Sequence, residues 1–243
     1  MTNNVYPHLQ KIIDESQRIV FFGGAGVSTE SGIPDFRSQD GLYHKKYTYP
    51  PETILSHSFY VSHMDEFFRF YKENLIHPGV KPNSAHYALA RLEAIGKLKA
   101  VITQNIDGLH QMAGSHTVYE LHGSVHRNTC LSCKQVFPVE TVLHAKEIPL
   151  CPCGNIIKPD VVLYEESLNQ EVLSMATSAI STADTLIIGG TSLNVYPAAS
   201  LIRYFKGSHL ALINRDQTNV DEIANIVIRD PIGQVLGSLY IKK

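Results

Sequence analysis

Apolar residues cluster along the chain in five short runs, and these runs predict the strands of one sheet. Each run has the length of a strand and few polar positions, and the first continues directly into glycines. Uninterrupted apolar runs of this kind are typical of parallel strands that are buried on both faces. The runs cover residues 18–22, 98–103, 185–189, 209–214 and, more weakly, 226–228.

Helix-like patterns precede or separate these runs. They cover residues 5–16, 84–95, 169–181, 197–205 and 219–225. Because strands and helices alternate, we expect right-handed βαβ units and therefore an α/β fold with a Rossmann-like, doubly wound parallel sheet. Ligands of such sheets bind at the carboxyl ends of the strands.

Two segments interrupt the alternation and predict a smaller lobe with a helical part and a zinc-ribbon part. Residues 42–81 are rich in Tyr, Phe, His and Pro, and residues 127–159 hold every cysteine. We therefore expect one domain over residues 1–243. Its large Rossmann-like lobe would comprise approximately residues 1–41, 82–126 and 160–243.

Composition and charge exclude several classes of protein. The 243 residues include 21 Lys and Arg against 23 Asp and Glu, so the formal charge is −2. This balance argues against binding to nucleic acid or to an anionic membrane. The longest uncharged stretch, residues 185–202, is too polar and too rich in glycine to span a bilayer, and residues 1–11 carry no secretory signal pattern. We expect a cytoplasmic protein.

The four cysteines form two pairs with the spacing of a structural zinc ribbon. Cys130 and Cys133 are separated by two residues, Cys151 and Cys153 by Pro152 alone, and 17 residues lie between the pairs. In a reducing compartment such a cluster favours a tetrahedral metal site over disulfides. The alternative is four unliganded thiols. No polar catalytic residue accompanies the pairs, so we expect the zinc to serve folding.

A glycine-rich run follows the first predicted strand. Gly23, Gly24 and Gly26 lack side chains that would keep backbone N–H groups away from a phosphate at a helix N-terminus. The alternative is that the glycines only form a tight turn between the strand and the next element and bind no phosphate. Thr29 stands where the dehydrogenase fingerprint has its third glycine, and no clear strand-end acid follows about 20 residues later. A hydride-transfer enzyme is therefore disfavoured.

Five motifs, in order, resemble those of the sirtuins, the NAD-dependent protein deacylases. The first is the run from Gly24 to Arg37, and the resemblance spans nearly the whole chain. The others are Thr-Gln-Asn-Ile-Asp-Gly-Leu-His at 103–110, Leu-His-Gly at 121–123, Gly-Thr-Ser-Leu at 190–193 and Ile-Asn-Arg at 213–215. The cysteine pairs also match, except for the short second spacing. The resemblance implies a single sirtuin catalytic domain of bacterial type.

The resemblance also implies a set of NAD contacts. Gln104 and Asn105 would contact the nicotinamide ribose, and Ile106 and Asp107 the carboxamide of nicotinamide. Taken alone, Asn and Asp beside a glycine equally indicate a helix cap. Phe36 would shield the oxocarbenium ion that develops during the reaction. The remaining expected NAD contacts are Gly24, Ala25, Gly26, Thr29, Arg37, His122, Thr191, Ser192, Asn214 and Ile232.

His122 is the expected general base, and Asn105 is the second residue expected to be catalytic. An imidazole with an ordinary pKa near 6.5 accepts a proton at neutral pH. The chain has 12 histidines, and His122 is singled out by its place in the Leu-His-Gly motif. The implied reaction is attack of an acyl-lysine oxygen on the ribose carbon as nicotinamide leaves, followed by proton removal from a ribose hydroxyl. The products would be free lysine, nicotinamide and O-acyl-ADP-ribose.

The segment from Lys158 to Glu166 resembles the one that pairs with substrate backbone in sirtuins. An acetylated protein lysine would be bound as an extended peptide between two edges. The family usually has glycine where Glu165 stands, so this acid could favour basic residues in the substrate or could cap a helix. The expected peptide contacts are Val161, Val162, Leu163 and Tyr164 on one side and Leu193, Asn194 and Val195 on the other.

The acyl group is expected to be neutral. Sirtuins that remove succinyl and malonyl groups carry a Tyr and, three residues on, an Arg, and the corresponding positions here are Phe68 and Tyr71. Without a guanidinium there is no bidentate partner for a terminal carboxylate. The alternative is that these aromatic residues simply pack the small lobe.

Two other functions remain open for the same motifs. The NAD site could support transfer of ADP-ribose to a protein side chain, or the chain could be a non-catalytic sensor of NAD or ADP-ribose. The presence of His122 and of the intact run 104–107 favours deacylation.

Overall fold

The computed structural model describes residues 5–36, 41 and 47–241. Its central sheet has six strands, which are β1 (Ile19–Gly23), β2 (Leu98–Thr103), β3 (Val118–Glu120), β7 (Thr185–Gly189), β8 (His209–Ile213) and β9 (Ile226–Ile228). They lie in the order β3-β2-β1-β7-β8-β9, and all of their pairings are parallel.

Helices cover both faces of this sheet, because successive strand residues point to opposite sides. In β1, Ile19 and Phe21 join the apolar cluster of one face and Val20 and Phe22 that of the other, and all four are fully buried. The helices are α1 (Pro7–Glu15), α5 (Ser84–Ala94), α6 (Leu109–Met112), α8 (Gln170–Thr182), α9 (Ile232–Gly237) and the 3-10 helix Ala198–Tyr204. The doubly wound α/β fold is confirmed.

A second, antiparallel sheet lies beside the first. Its strands are β4 (Gly123–Cys130), β5 (Val136–Phe137) and β6 (Ile157–Val161), with β4 in the middle. The short helices around it are α2 (Pro51–Ile54), α3 (His57–Ser62), α4 (Met64–Asn74) and α7 (Val139–Leu143). A third apolar cluster, which contains Phe67, Phe68 and Tyr71, forms the core of this part. Since β4 runs through residues 126 and 127 without a break, the expected lobe boundary falls inside a strand.

Two details differ from the sequence-based expectations. Residues 219–225 form turns and not a helix. Asp221 accepts from the Thr218 N–H at 2.9 Å, a local bond that competes with a helix, and Asn225 accepts from the Leu210 N–H of β8 at 2.6 Å. The edge strand β3 was not predicted, since its three residues are only half buried. None of the helices in the described ranges is long and apolar enough to cross a membrane.

Two histidines are buried in contact between α5 and α6. The rings of His86 and His110 lie 4.7 Å apart between centroids. Among the described residues, no hydrogen-bond partner is found for either His110 nitrogen or for the His86 Nε2. Burial lowers the pKa of His86 to about 4, with the charge of Asp107 partly opposing, and burial together with His86 lowers the pKa of His110 to about 3. Both rings are therefore neutral at physiological pH.

This pair should make the folded protein sensitive to acid. Unfolded histidine titrates near pH 6.5, so below that pH the unfolded chain takes up protons that the folded pair does not. The free energy of unfolding should therefore fall as the pH drops from about 6.5 towards about 4. In His110→Phe, which removes one of the two titrating rings, the fall should be smaller. Urea unfolding near neutral pH and at about pH 5 checks this, and an equal fall in both proteins would contradict it.

Candidate active site

A cleft of about 570 Å³ lies where the two sheets meet, at the carboxyl ends of the central parallel strands. The residues that follow β1, β2, β7 and β8 line one side of it, and the residues that follow β6 line the other. This is the position at which parallel sheets bind ligands. The predicted residues on its walls are Gly24, Ala25, Gly26, Thr29, Phe36, Gln104, Asn105, Ile106, Asp107, His122, Val161, Val162, Leu163, Tyr164, Thr191, Ser192, Val195, Asn214 and Ile232.

Two predicted residues are not on these walls, and a third cannot be placed. Leu193 is 1% exposed and Asn194 is exposed to solvent, and neither lines the cleft. Arg37 lies outside the described residues. Phe68 and Tyr71, which carried the argument about the acyl group, are also absent from the cleft walls and are packed in the third apolar cluster. In the described part of the chain, residues 42–81 contribute Leu55, Asn74, Leu75 and His77 to the cleft walls.

The loops after β1 and β7 touch backbone to backbone. The Gly26 N–H donates to the Gly190 carbonyl at 2.8 Å. A Cβ on Gly26 would lie 2.8 Å from the Gly190 Cα, and Gly190 itself has a φ of +58°. Larger residues at these two positions would force the loops apart. The loop that carries Ala25 and Thr29 is therefore fixed against the sheet, and the Thr29 hydroxyl donates to the Gly26 carbonyl at 3.0 Å.

Ser28 joins this loop to the residues that follow β2. Its hydroxyl donates to the Asp107 carboxylate at 2.6 Å and accepts from the Asn105 side-chain amide at 3.0 Å. The other Asp107 oxygen accepts from the Leu109 N–H at 2.9 Å, so Asp107 also caps α6. Sequence reasoning assigned Ser28 no role of its own, although it lies within the first motif. Its complete burial, at 1% exposure, could not be read from the sequence.

Strand β4 holds the same segment from the other side. The Val125 N–H donates to the Ile106 carbonyl at 3.0 Å, and His126 Nε2 lies 2.9 Å from the Asp107 carbonyl. Since a carbonyl only accepts, Nε2 of His126 carries the hydrogen. The ring also packs on Gly108, where a Cβ would lie 2.7 Å from it. Two successive carbonyls of the segment are thus held by β4.

His122 immediately precedes β4 and lines the cleft. Its Nδ1 lies 3.0 Å from the Gln104 carbonyl, which only accepts, so Nδ1 carries the hydrogen and Nε2 keeps its lone pair. Burial lowers the pKa of His122, and the bond to Gln104 partly opposes this. The ring is therefore neutral near pH 7, as a general base must be. The His122 carbonyl accepts from the Val162 N–H at 2.9 Å, which links His122 to the predicted peptide segment.

The remaining predicted NAD contacts are held by bonds across neighbouring loops. The Gln104 side-chain amide donates to the Thr191 hydroxyl at 3.0 Å, which also accepts from the Leu193 N–H at 3.2 Å. Near Asn214, the Arg229 guanidinium donates to the Asn214 carbonyl at 2.9 Å. These bonds connect the loop after β2 to that after β7, and the segment after β9 to the loop after β8.

The four predicted zinc ligands come together at the end of the second sheet. All four Sγ atoms lie within 4.8 Å of one another, and those of Cys130 and Cys153 lie 3.5 Å apart, as do those of Cys133 and Cys151. Tetrahedral zinc with Zn–S bonds of about 2.3 Å places sulfurs about 3.8 Å apart. The short second pair is accommodated by a tight turn, in which the Gly154 N–H donates to the Cys151 carbonyl at 2.8 Å. The four thiols fit a structural zinc ion.

The fold and the cleft are those of a protein of the Rossmann-like class, which binds its ligand at the carboxyl ends of parallel strands. The sequence model of the Sir2 family matches residues 24–197. The chain is 60% identical over 232 residues to a protein named NAD-dependent protein deacetylase from Clostridium acetobutylicum, with 94% of this chain and 95% of the relative covered. A protein of the same name from Clostridium perfringens is also 60% identical, over 95% of this chain and 96% of the relative. The chain belongs to the Sir2 family, that of the sirtuins.

A solved structure supports the same assignment. A Sir2 protein determined with a deacetylated p53 peptide and 3′-O-acetyl-ADP-ribose superposes with a TM-score of 0.87 at 39% identity, covering 96% of each chain. The family resemblance inferred from the five motifs is confirmed.

The cysteine cluster predicts one zinc ion per chain. Because a structural zinc site contributes its binding free energy to folding, Cys153→Ser should lower both the zinc content and the melting temperature. Elemental analysis and thermal unfolding of the purified protein measure the two effects. Ser132→Ala, an exposed change between the first two ligands, serves as the control. A metal-free protein with an unchanged melting temperature would refute the assignment.

Proposed function

We infer that this protein removes acetyl groups from protein lysine side chains with consumption of NAD. The observation that carries this function is the neutral His122, whose Nδ1–H is held by the Gln104 carbonyl and whose Nε2 lone pair remains for a proton. Such a base is required after the acyl oxygen has attacked the ribose carbon and nicotinamide has left. His122 then takes a proton from a ribose hydroxyl, and the products are the free lysine, nicotinamide and O-acetyl-ADP-ribose.

We propose roles for the other cleft residues from their resemblance to the sirtuin motifs. Gln104 and Asn105 contact the nicotinamide ribose, while Ile106 and Asp107 bind the carboxamide. The Ser28 hydroxyl supports this assignment, because it fixes the orientation of both Asn105 and Asp107 before NAD arrives. Phe36, which like Ile106 lines the cleft and packs against the third apolar cluster, shields the developing positive charge from water.

The diphosphate and the adenosine lie along the loops after β1, β7 and β8. Gly24, Gly26 and Thr29 serve the diphosphate, together with Ala25 and with Arg37 beyond the described residues. The adenosine end of NAD contacts Thr191, Ser192, Asn214 and Ile232.

The acetylated lysine enters as part of an extended peptide between the segment 161–164 and the loop 193–195. The burial of Leu193 limits its contribution to backbone groups, whereas the Val195 side chain reaches the cleft wall.

The zinc ion, held by the four cysteine thiolates, stabilises the turns of the second sheet. We also propose two lobes, a large one around the parallel sheet and a small one around the second sheet. The cytoplasm is the proposed location, which the four cysteines without disulfide partners support.

The test is mass spectrometry of reactions that contain an acetyl-lysine or a succinyl-lysine peptide, each with and without NAD. Consumption of the acetyl peptide with release of nicotinamide and O-acetyl-ADP-ribose is the expected result. His122→Ala should abolish turnover and leave NAD binding nearly unchanged, because the base acts on a proton and not on the binding of the dinucleotide. His116→Ala, which changes an exposed histidine, should keep full activity. Wild-type turnover in His122→Ala would refute the mechanism, and ADP-ribose attached to protein would favour the transferase.

The pH dependence of the reaction tests the environment of His122. Since burial lowers the pKa of this residue, its basic form persists to a lower pH than that of an ordinary histidine. The acid-side decline of kcat/KM should therefore be centred below about pH 6.5 and should follow the titration of a single group. An initial-rate profile at varied NAD concentration measures it. A decline centred above that pH would show that the ring is not desolvated as described.

A further inference from the structure

The segment after β6 is fastened to the start of α3 by three successive residues. Tyr164 pairs with the chain before α3: its N–H donates to the Leu55 carbonyl at 2.9 Å, and its carbonyl accepts from the His57 N–H at 3.0 Å. The Glu166 carboxylate accepts from His57 Nδ1 at 2.9 Å. Lys158 also lies 3.3 Å from the Glu166 carboxylate. The predicted peptide segment is thus one wall of the cleft and, at the same time, part of the small-lobe core.

Glu165 completes this contact in an unusual backbone conformation. Its φ is +74°, in the left-handed region that favours glycine. Its carboxylate accepts from the Ser58 N–H at 2.9 Å and from the Ser58 hydroxyl at 3.0 Å. Ser58 is the second residue of α3, where a backbone N–H has no partner within the helix. The strained conformation is therefore matched by a cap on α3.

We propose that Glu165 is a positioning residue for the substrate peptide: by capping α3 it holds the segment 161–164 in its binding conformation before the peptide arrives. This proposal deepens the proposed function and rests on it. A free chain edge at the mouth of a cleft has to be ordered when a peptide pairs with it, and ordering it beforehand removes that cost from binding. Glu165 therefore acts on peptide affinity and not on the chemical step.

The same geometry argues against recognition of basic substrate residues by Glu165. Each of its two carboxylate oxygens already accepts a hydrogen bond from Ser58. The neighbouring Glu166 is engaged by His57 and Lys158, and the Leu163 N–H donates to it at 2.9 Å. The two acids at this wall are therefore directed to the protein itself.

Steady-state kinetics with an acetyl-lysine peptide test the proposal. Glu165→Ala keeps the left-handed position but loses the cap, and Glu165→Gly loses the cap while relieving the backbone. Both should raise the peptide KM about three- to tenfold, with the NAD KM and kcat unchanged. Glu165→Gln, which keeps one oxygen acceptor, should lie between these variants and the wild type. Glu171→Ala, an exposed acid in the first turn of α8, is the matched control and should match the wild type.

Three results would overturn the proposal. A fall in kcat at unchanged peptide KM would indicate a general structural role. A KM effect limited to peptides with Lys or Arg beside the acetyl-lysine, and equal in Glu165→Gln, would indicate recognition of charge. An unchanged peptide KM in both Glu165→Ala and Glu165→Gly would exclude any role in peptide binding.

Hydrogen exchange of the ligand-free protein separates this proposal from the proposed function. If Glu165 holds the segment, the amides of residues 162–166 and of the first turn of α3 should exchange faster in Glu165→Ala, while those of β1 are unchanged. Ser58→Ala should produce a smaller change in the same amides, and the double variant should change less than the sum of the two. This result does not depend on turnover. Unchanged exchange in Glu165→Ala would refute the positioning role of Glu165 even if the protein is an active deacetylase.

Discussion

The close contact between the loops after β1 and β7 is the constraint on which the site depends. Gly26 and Gly190 meet with no space for a Cβ on either, and the Gly26 N–H is used in the contact. This contact holds the loop after β1 close to the edge of the sheet. The loop therefore leaves room for the cleft, and Ser28 reaches the residues that follow β2. A side chain at either position would raise the loop and disconnect Ser28 from Asn105 and Asp107.

Strand β4 connects the side of the cleft that holds His122 to the zinc site. It begins one residue after His122 and ends at Cys130, and in between Val125 and His126 hold the carbonyls of Ile106 and Asp107. The zinc site and these contacts to the cleft therefore lie on the same strand. The cysteine turns lie at one end of β4, and His122 immediately precedes the other end.

The central sheet and most of the cleft could be predicted from the sequence because both depend on strong local signals. An uninterrupted apolar run such as β1 has few alternatives to a buried parallel strand, and the cleft residues lie where such strands end. The three residues of β3 and the turns at 219–225 were missed, since strand pairing and side-chain bonds to the backbone decide them. The bonds that orient the site were the least predictable part. Ser28 and Glu165 act through partners that lie 77 to 107 positions away, and no local pattern reveals such partners.

Burial lowers the pKa of three histidines, and their hydrogen bonds distinguish them from one another. His86, His110 and His122 all have lowered pKa values because their charged forms are desolvated. His110 has no hydrogen-bond partner among the described residues, so no bond offsets its desolvation and it acts as an apolar ring in the core. His122 instead donates to the Gln104 carbonyl, which favours its charged form and fixes its tautomer. The same desolvation therefore produces an apolar ring at His110 and, where a carbonyl partly compensates it, a neutral ring at His122 whose Nε2 keeps its lone pair.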